Sequence, residues 1–242
     1  MKYRSVHFYE SGYSVRSIEC EEDRRRAYRL RHQVFCEDLK WTPPSPGGLE
    51  MDRYDSFATS LGLFCEESLL GLIRFLPPDQ PFMLESDFSD LIGPGYQIRK
   101  EADTMEISRL TIDPSSKGRG LSPRYLSIIL KGLYQWSLLN QIRFSYLEVE
   151  KRFWRSLFSL GFPSTPIGPF KALPPAEVES VAAILDWEEF RRYNLARRPA
   201  FLDWMTTLQS DPVASPGRWR GRGWRPGASR GYYERESSPS FR

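Results

Sequence analysis

With 242 residues, 40% of them hydrophobic and 14% aromatic, the chain can bury a sizeable core and is not a wholly disordered polypeptide. Nineteen Pro and 17 Gly exclude a helical bundle or coiled coil and demand many turns. The net charge of +3 is unevenly spread: from Gln209 onward seven Arg stand against three acids, while the preceding residues carry 27 basic and 28 acidic groups, so the body gives no reason to expect nucleic-acid binding.

Residues 5–18 hold short apolar stretches that fit an opening strand. Glu21–Lys40 has helical periodicity, with Ala27, Leu30, Val34, Phe35 and Leu39 on one side. The run TPPSPGG (42–48) cannot continue that helix and predicts a loop, followed by the acidic, aromatic EMDRYD (50–55). FATSLGLFC (57–65) and LLGLIRFLP (69–77), joined by the polar Glu66–Ser68, predict a β-hairpin. Residues 78–103, rich in Pro, Gly and Asp, predict an irregular insertion with one helical turn near Phe82–Leu91.

TMEISRLTID (104–113) alternates and is β-branched, which predicts a strand. PSSKGRGLS (114–122) is a glycine-containing turn, and Pro123–Asn140 an amphipathic helix with Leu126, Ile129, Leu130, Leu133 and Leu138 inward. FSYLEVE (144–150) predicts a strand, and FWRSLFSLGF (153–162) a short helix closed by Gly161. The prolines of STPIGPFKALP (164–174) predict a last strand at a sheet edge. Ala176–Thr207 reads as a second long helical region, interrupted near Pro199. Beyond it the composition falls to Arg, Gly, Ser, Pro and Trp without period, so the expected organisation is one domain, 1–208, and a disordered tail, 209–242. The order of elements implies an α/β (α+β) fold, a mixed central sheet flanked by helices.

Cys20, Cys36 and Cys65 are odd in number and lack a CxxC pair, which argues against a disulfide framework or zinc ribbon. His7 and His32 are too isolated for a metal site, so no metal is expected. The start, MKYRSVHFYE, has no apolar leader, and the apolar window Tyr125–Leu139 is interrupted by Lys131 and too short to span a bilayer. The expected location is cytoplasmic, with no membrane span.

Three groupings carry chemistry. The strand ending at Asp113 runs into Lys117, Gly118, Arg119 and Gly120 and then a helix, an arrangement that aims backbone N–H groups and a positive helix end at an anion such as a phosphate on a pantetheine arm. It also suits a plain βα turn. Glu106 and Arg109 lie on that strand. An ideal strand would point them to opposite sides, and a bulge between them would bring both to one site. A carboxylate there could take a proton from an attacking amine. Finally, Asp52 and Asp55 follow the Pro/Gly loop, where Arg31 and Arg74 could pair with them. That group could grip a zwitterionic substrate or simply pin a loop. Phe35 and Trp41 suit either the core or an acyl pocket.

Taken together, Arg31, Phe35 and Trp41 in R-x-x-x-F-x-x-x-x-x-W, then Glu50, Asp52 and Asp55 in E-x-D-x-x-D, Arg74 in G-x-x-R, and Glu106–Arg109 in E-I-S-R, resemble the acyl-homoserine-lactone (autoinducer) synthase family in order and near spacing over roughly residues 24–162. The body is also similar to N-acyl amino acid synthases and exosortase-associated acyltransferases. The resemblance implies a GNAT-like acyltransferase fold. It implies a charged active-site cluster of Arg31, Asp52, Asp55, Arg74, Glu106 and Arg109, an aromatic wall of Phe35 and Trp41 around the acceptor, and Glu106 as base. The expected activity is N-acyl transfer from acyl carrier protein (acyl-ACP) or acyl-CoA to the amine of an amino-acid-like small molecule, without a tightly bound cofactor. The acyl chain would lie near Leu110, Leu126 and Leu147, and an acidic carrier protein would meet Lys117, Arg119, Lys151, Arg152 and Arg155. One alternative is lactone synthesis from S-adenosylmethionine; another is a non-catalytic binding protein with a basic tail.

Overall fold

The structure, a computed structural model, describes residues 3–120, 122–175 and 177–208, so the Arg-rich stretch 209–242 lies outside the described residues. The strands are β1 (His7–Glu10), β2 (Tyr13–Ser17), β3 (Thr59–Cys65), β4 (Ser68–Leu76), β5 (Thr104–Ile112), β6 (Phe144–Glu150), β7 (Thr165–Pro166), β8 (Lys171–Leu173) and β9 (Val178–Asp186). They form one sheet in the order β1-β2-β3-β4-β5-β6-β9-β7, with β8 also paired to β9. The helices are α1 (Glu21–Arg31), α2 (Met83–Ser86), α3 (Ser122–Leu139), α4 (Lys151–Ser159), α5 (Trp187–Arg197) and α6 (Pro199–Thr206).

Every strand pair is antiparallel except β5–β6, whose parallel run requires a crossover, which α3 supplies. The two faces follow from strand alternation. Ile73, Phe75, Met105, Ile107, Leu147, Val149, Val181 and Ala183 join the inward side of α3 in the main core, where Phe75 stacks on Trp136 at 4.3 Å between centroids. Burying each such side chain contributes about 1.5–3 kcal/mol. On the opposite face, α1 covers Phe64 and Leu72, and the 82–91 segment covers Leu76, Tyr146 and Ala182.

Two irregularities shape the middle of the sheet. β5 and β6 pair only over Thr104–Ile107 and Phe144–Leu147, whereas β4 follows β5 to Ile112 and β9 follows β6 to Glu150. The strands therefore part beyond Ile107 and Leu147, leaving a split. Beside it, Leu72 pairs with Thr111 and Arg74 with Ser108, so β5 spends one residue more than β4. The extra residue is accommodated at Arg109, whose φ is 52°.

The hairpin of β3 and β4, the turn in the insertion, β5, α3, β6 and the short α4 stand where the sequence puts them, with Gly161 left-handed at φ 98° after α4. The opening stretch is a hairpin, β1 with β2, rather than one strand. The helix expected to Lys40 changes to a π-helical turn at His32–Asp38. The expected edge strand 164–174 is two short strands, β7 and β8, against β9. The largest departure is β9 itself: Val178–Asp186 is a nine-residue strand, not helix. Its run VESVAAILD is β-branched and buried between β6 and the edge, so sheet burial overrides the helical tendency of its alanines. Leu138, expected inward, is 41% exposed, whereas Lys131 on the same helix is buried and its Nζ donates to Glu10 Oε2 at 2.5 Å. Among the described residues no helix is long and apolar enough to cross a membrane.

Candidate active site

Three arginines and three carboxylates converge where α1, the 50–55 segment, β4 and β5 meet. Arg31 ends α1. Its Nε donates to Glu50, and its Nη1 and Nη2 donate to Asp55 at 2.6 and 3.0 Å. Arg74 comes from β4. Its Nη1 donates to Asp52 and Asp55 at 2.6 and 2.8 Å, its Nε to Ser108 Oγ at 3.0 Å, and its Nη2 to Met83 Sδ at 3.1 Å. Arg109 reaches in from the bulge, its Nη2 donating to Glu50 and Asp52 at 2.9 and 2.8 Å. The planar fork of an arginine bonds two acids in a fixed geometry, which the freely rotating ammonium of a lysine does not impose.

The 50–55 segment is shaped for this role. Asp52 caps the following 3₁₀ turn by accepting from Tyr54 N at 3.0 Å, while its own N donates to Asp55 Oδ2 at 2.8 Å. Although burial alone would raise it, Arg31 and Arg74 hold the Asp55 carboxyl below the usual carboxylate range. The cluster is not uniformly closed. The Arg31 and Arg74 side chains are 2% and 0% exposed, against 13% for Arg109 and 19% for Asp52, so an incoming polar group meets the Asp52–Arg109 end.

The π-helical turn explains the aromatic pair. Leu39 N donates to Val34 O and Trp41 N to Phe35 O, at 2.9 and 2.8 Å, curling the chain back so that the Phe35 and Trp41 rings lie 6.0 Å apart. The Arg109 guanidinium carbon sits 5.1 Å from the Phe35 ring centre, which makes this pair one wall of the cluster.

Glu106 is placed differently from the charged cluster. It is 1% exposed, and its Oε2 and Oε1 accept from Met83 N at 2.6 Å and Leu84 N at 3.0 Å, the first amides of α2. Burial pushes its carboxyl up to about 8, against the pull of those two amides and of Arg74 and Lys100. It is thus neither a surface ion-pair member nor part of the arginine network, but a buried acid at the base of the split.

The turn after β5 is a 3₁₀ segment, Pro114–Arg119, capped by Asp113, which accepts from Ser115 N at 2.9 Å. Gly120 has φ 65°, and a Cβ added at Gly118 or Gly120 would meet nothing within 4 Å, so the bend is open on its outer side. Lys117 Nζ lies 4.0 Å from Asp38 on the π-helical turn, which sets the bend beside the Phe35 segment; of Arg119 only the backbone is described. Leu110 and Leu126, both partly buried, pack against the core that contains Leu147.

The structure gathers Arg31, Asp52, Asp55, Arg74 and Arg109 into one network beside Phe35 and Trp41 and sets Glu106 and the 117–120 bend apart from it, while Glu50, Ser108 and Met83, not singled out as site residues, contact the same arginines. Glu50 had a signal as the first acid of EMDRYD, whereas nothing in the sequence sends Met83, 26 positions before Arg109, to the arginines.

A family model described as autoinducer synthase matches residues 16–195. An acyl-homoserine-lactone synthase of Rhizobium radiobacter is 31% identical over 150 residues, 60% of this chain and 70% of its own length. Among solved structures, the CoA-dependent acyl-homoserine lactone synthase BjaI, in complex with MTA, aligns with TM-score 0.67 and 22% identity over 85% of this chain and 94% of that one. FeeM, an N-acyl amino acid synthase from uncultured soil microbes, aligns with TM-score 0.55 and 18% identity over 75% of this chain and 93% of its own. Since the family match spans the arginine–carboxylate cluster, the bulged strand and the split that follows it, the chain belongs to the autoinducer synthase family and is an N-acyltransferase.

Proposed function

We propose that the chain moves a fatty acyl group from a thioester on acyl carrier protein or coenzyme A to the amine of an amino-acid-like acceptor. The carrying observation is the split: beyond Ile107 the β5 backbone has lost its partner β6, so its free edge can pair with an extended pantetheine arm. A β5 N–H would then meet the oxyanion formed from the thioester carbonyl, a donor of the kind whose removal costs about 10²–10³ in rate.

The remaining groups fall into place around that line. Lys117, Gly118, Arg119 and Gly120 hold the donor's phosphate in front of α3. The acyl chain enters the core by Leu110, Leu126 and Leu147. The acceptor's charged groups bind the Asp52–Arg109 end of the cluster against Phe35 and Trp41, while Arg31, Asp55 and Arg74 hold that end rigid. Glu106, acting through water, takes a proton from the acceptor amine; general bases contribute on the order of 10²–10⁴. Arg152 and Arg155, exposed on α4, offer a carrier protein positive charge, together with Lys117 beside Asp38 and Lys151, which is bound to Glu179 at 2.8 Å.

A second reading is favoured by the relatives themselves: the acceptor is S-adenosylmethionine, and acylation is followed by lactone formation, giving a quorum-sensing signal. Incubating the protein with acylated carrier, amino acids and S-adenosylmethionine, then weighing the small-molecule products, separates the two. A linear N-acyl amino acid supports the first reading, an acyl lactone the second, and no acylated amine of either kind rejects both.

A further inference from the structure

Glu148 stands on the far lip of the split. On β6 it is the first residue past the last pair with β5, Leu147 with Ile107. Continuing that register sets it opposite Ser108, next to the Arg109 bulge. Its face is fixed by its partner on β9, Ala182, which packs with Tyr146, Phe82, Met83 and Leu84 on the Glu106 side of the sheet. Leu147 and Val149 point the other way, into the α3 core. Glu148 is partly buried, Ser180 bonds to it, Arg109 is its facing cation, and Glu150 is the next acid on its own strand. Burial holds its carboxyl above the usual range while Ser180 and Arg109 oppose the shift.

Acyl transfer to an ammonium needs two proton acceptors, because the nitrogen loses two protons on becoming an amide. Glu106 has both oxygens already accepting from amides and is 1% exposed. Glu148 lies on the same face, on the other side of the opening, where the sulfur of a donor bound along β5 would depart.

We propose that Glu148 is a further catalytic residue, taking the second proton from the attacking nitrogen and handing it to the leaving sulfur. The proposal rests on the acyl-transfer reading above. The ammonium gives its first proton to Glu106; the nitrogen lone pair then forms the C–N bond, and the carbonyl becomes an oxyanion. The nitrogen, now cationic, gives its second proton to the Glu148 carboxylate. The oxyanion collapses, the C–S bond breaks, and Glu148 returns the proton to the thiolate. Amide, free thiol and the original carboxylate result, and Glu106 releases its proton to solvent.

The test compares an acyl-CoA with the thiophenyl ester of the same acid, whose thiolate leaves without needing a proton. Glu148→Gln, a neutral isostere, should lower kcat about 100-fold with the alkyl thioester, and far less with the aryl one. Glu148→Asp should regain at least tenfold of the alkyl rate over Glu148→Gln. An unchanged alkyl rate, an equal loss on both thioesters, or no recovery in Glu148→Asp overturns the assignment while leaving acyl transfer standing. Wild-type protein that acylates no amine from either donor overturns acyl transfer, and the assignment with it.

Discussion

Arg109 and Glu50 are joined at 2.9 Å across 59 positions of sequence, and the contact exists because Arg109 takes a left-handed backbone at φ 52° inside a β-strand. In a regular strand, position 109 would face the core with Ile107. The bulge turns the guanidinium onto Glu50 and Asp52, so a local strain is tied directly to the assembly of the site.

That coupling separates two substitutions. Arg109→Ala loses the ion pairs and keeps the strained φ; Arg109→Gly loses the same ion pairs and relieves it. Both should abolish acyl transfer and destabilise the fold by about 1–3 kcal/mol, because Glu50 and Asp52 each lose one charged partner while keeping Arg31 and Arg74. The glycine variant should be the more stable by about 1–2 kcal/mol. Urea denaturation of the pair decides it; an alanine variant as stable as the glycine one contradicts the strain.

Glu106 makes stability depend on pH. Its folded carboxyl titrates at about 8, above the ordinary value of 4.5, so the folded state binds more protons between those limits. Its contribution is present in full below about 4.5 and is lost as pH rises toward 8. Glu106→Gln removes that dependence but sets an amide NH₂ against the Met83 or Leu84 N–H, so it should be less stable than wild type at low pH and show a flatter profile. Denaturation midpoints at a series of pH values check this. If Glu106 is the base, wild-type activity rises through the same window, and Glu106→Gln both loses turnover at least tenfold and loses the rise.

Much of this arrangement was legible in the sequence, for identifiable reasons. The hairpin, β5 and α3 carry strong periodicity, and the charged site residues recur in short motifs. A bulge between Glu106 and Arg109 was one way to bring both to one site; the irregularity instead lies at Arg109 itself, between Ser108 and Thr111. The strand β9 was missed because VESVAAILD is balanced between helix and strand until β6 supplies a partner. The depth of Glu106 was also illegible: the amides that bury it come from Met83 and Leu84, inside an insertion without pattern.

The glycine bend admits its own comparison. Gly120 needs its left-handed φ of 65°, whereas Gly118 has neither a positive φ nor any atom within 4 Å of an added Cβ. Gly120→Ala should lose about 1–2 kcal/mol, and Gly118→Ala should stay within about 0.5 kcal/mol of wild type. If the bend holds the donor's phosphate, Gly118→Ala raises the donor KM and leaves the acceptor KM alone. Thermal unfolding and steady-state kinetics with each substrate varied check both halves.

The account stands on the thioester donor lying along β5 where β6 has turned away. Amide hydrogen exchange, with and without a non-hydrolysable acyl-CoA or acyl-carrier analogue, tests this most directly. The expected result is slowed exchange in residues 108–120, with little change in β1 and β2. Binding of the analogue without protection of 108–112, or with protection confined to another edge of the sheet, contradicts it.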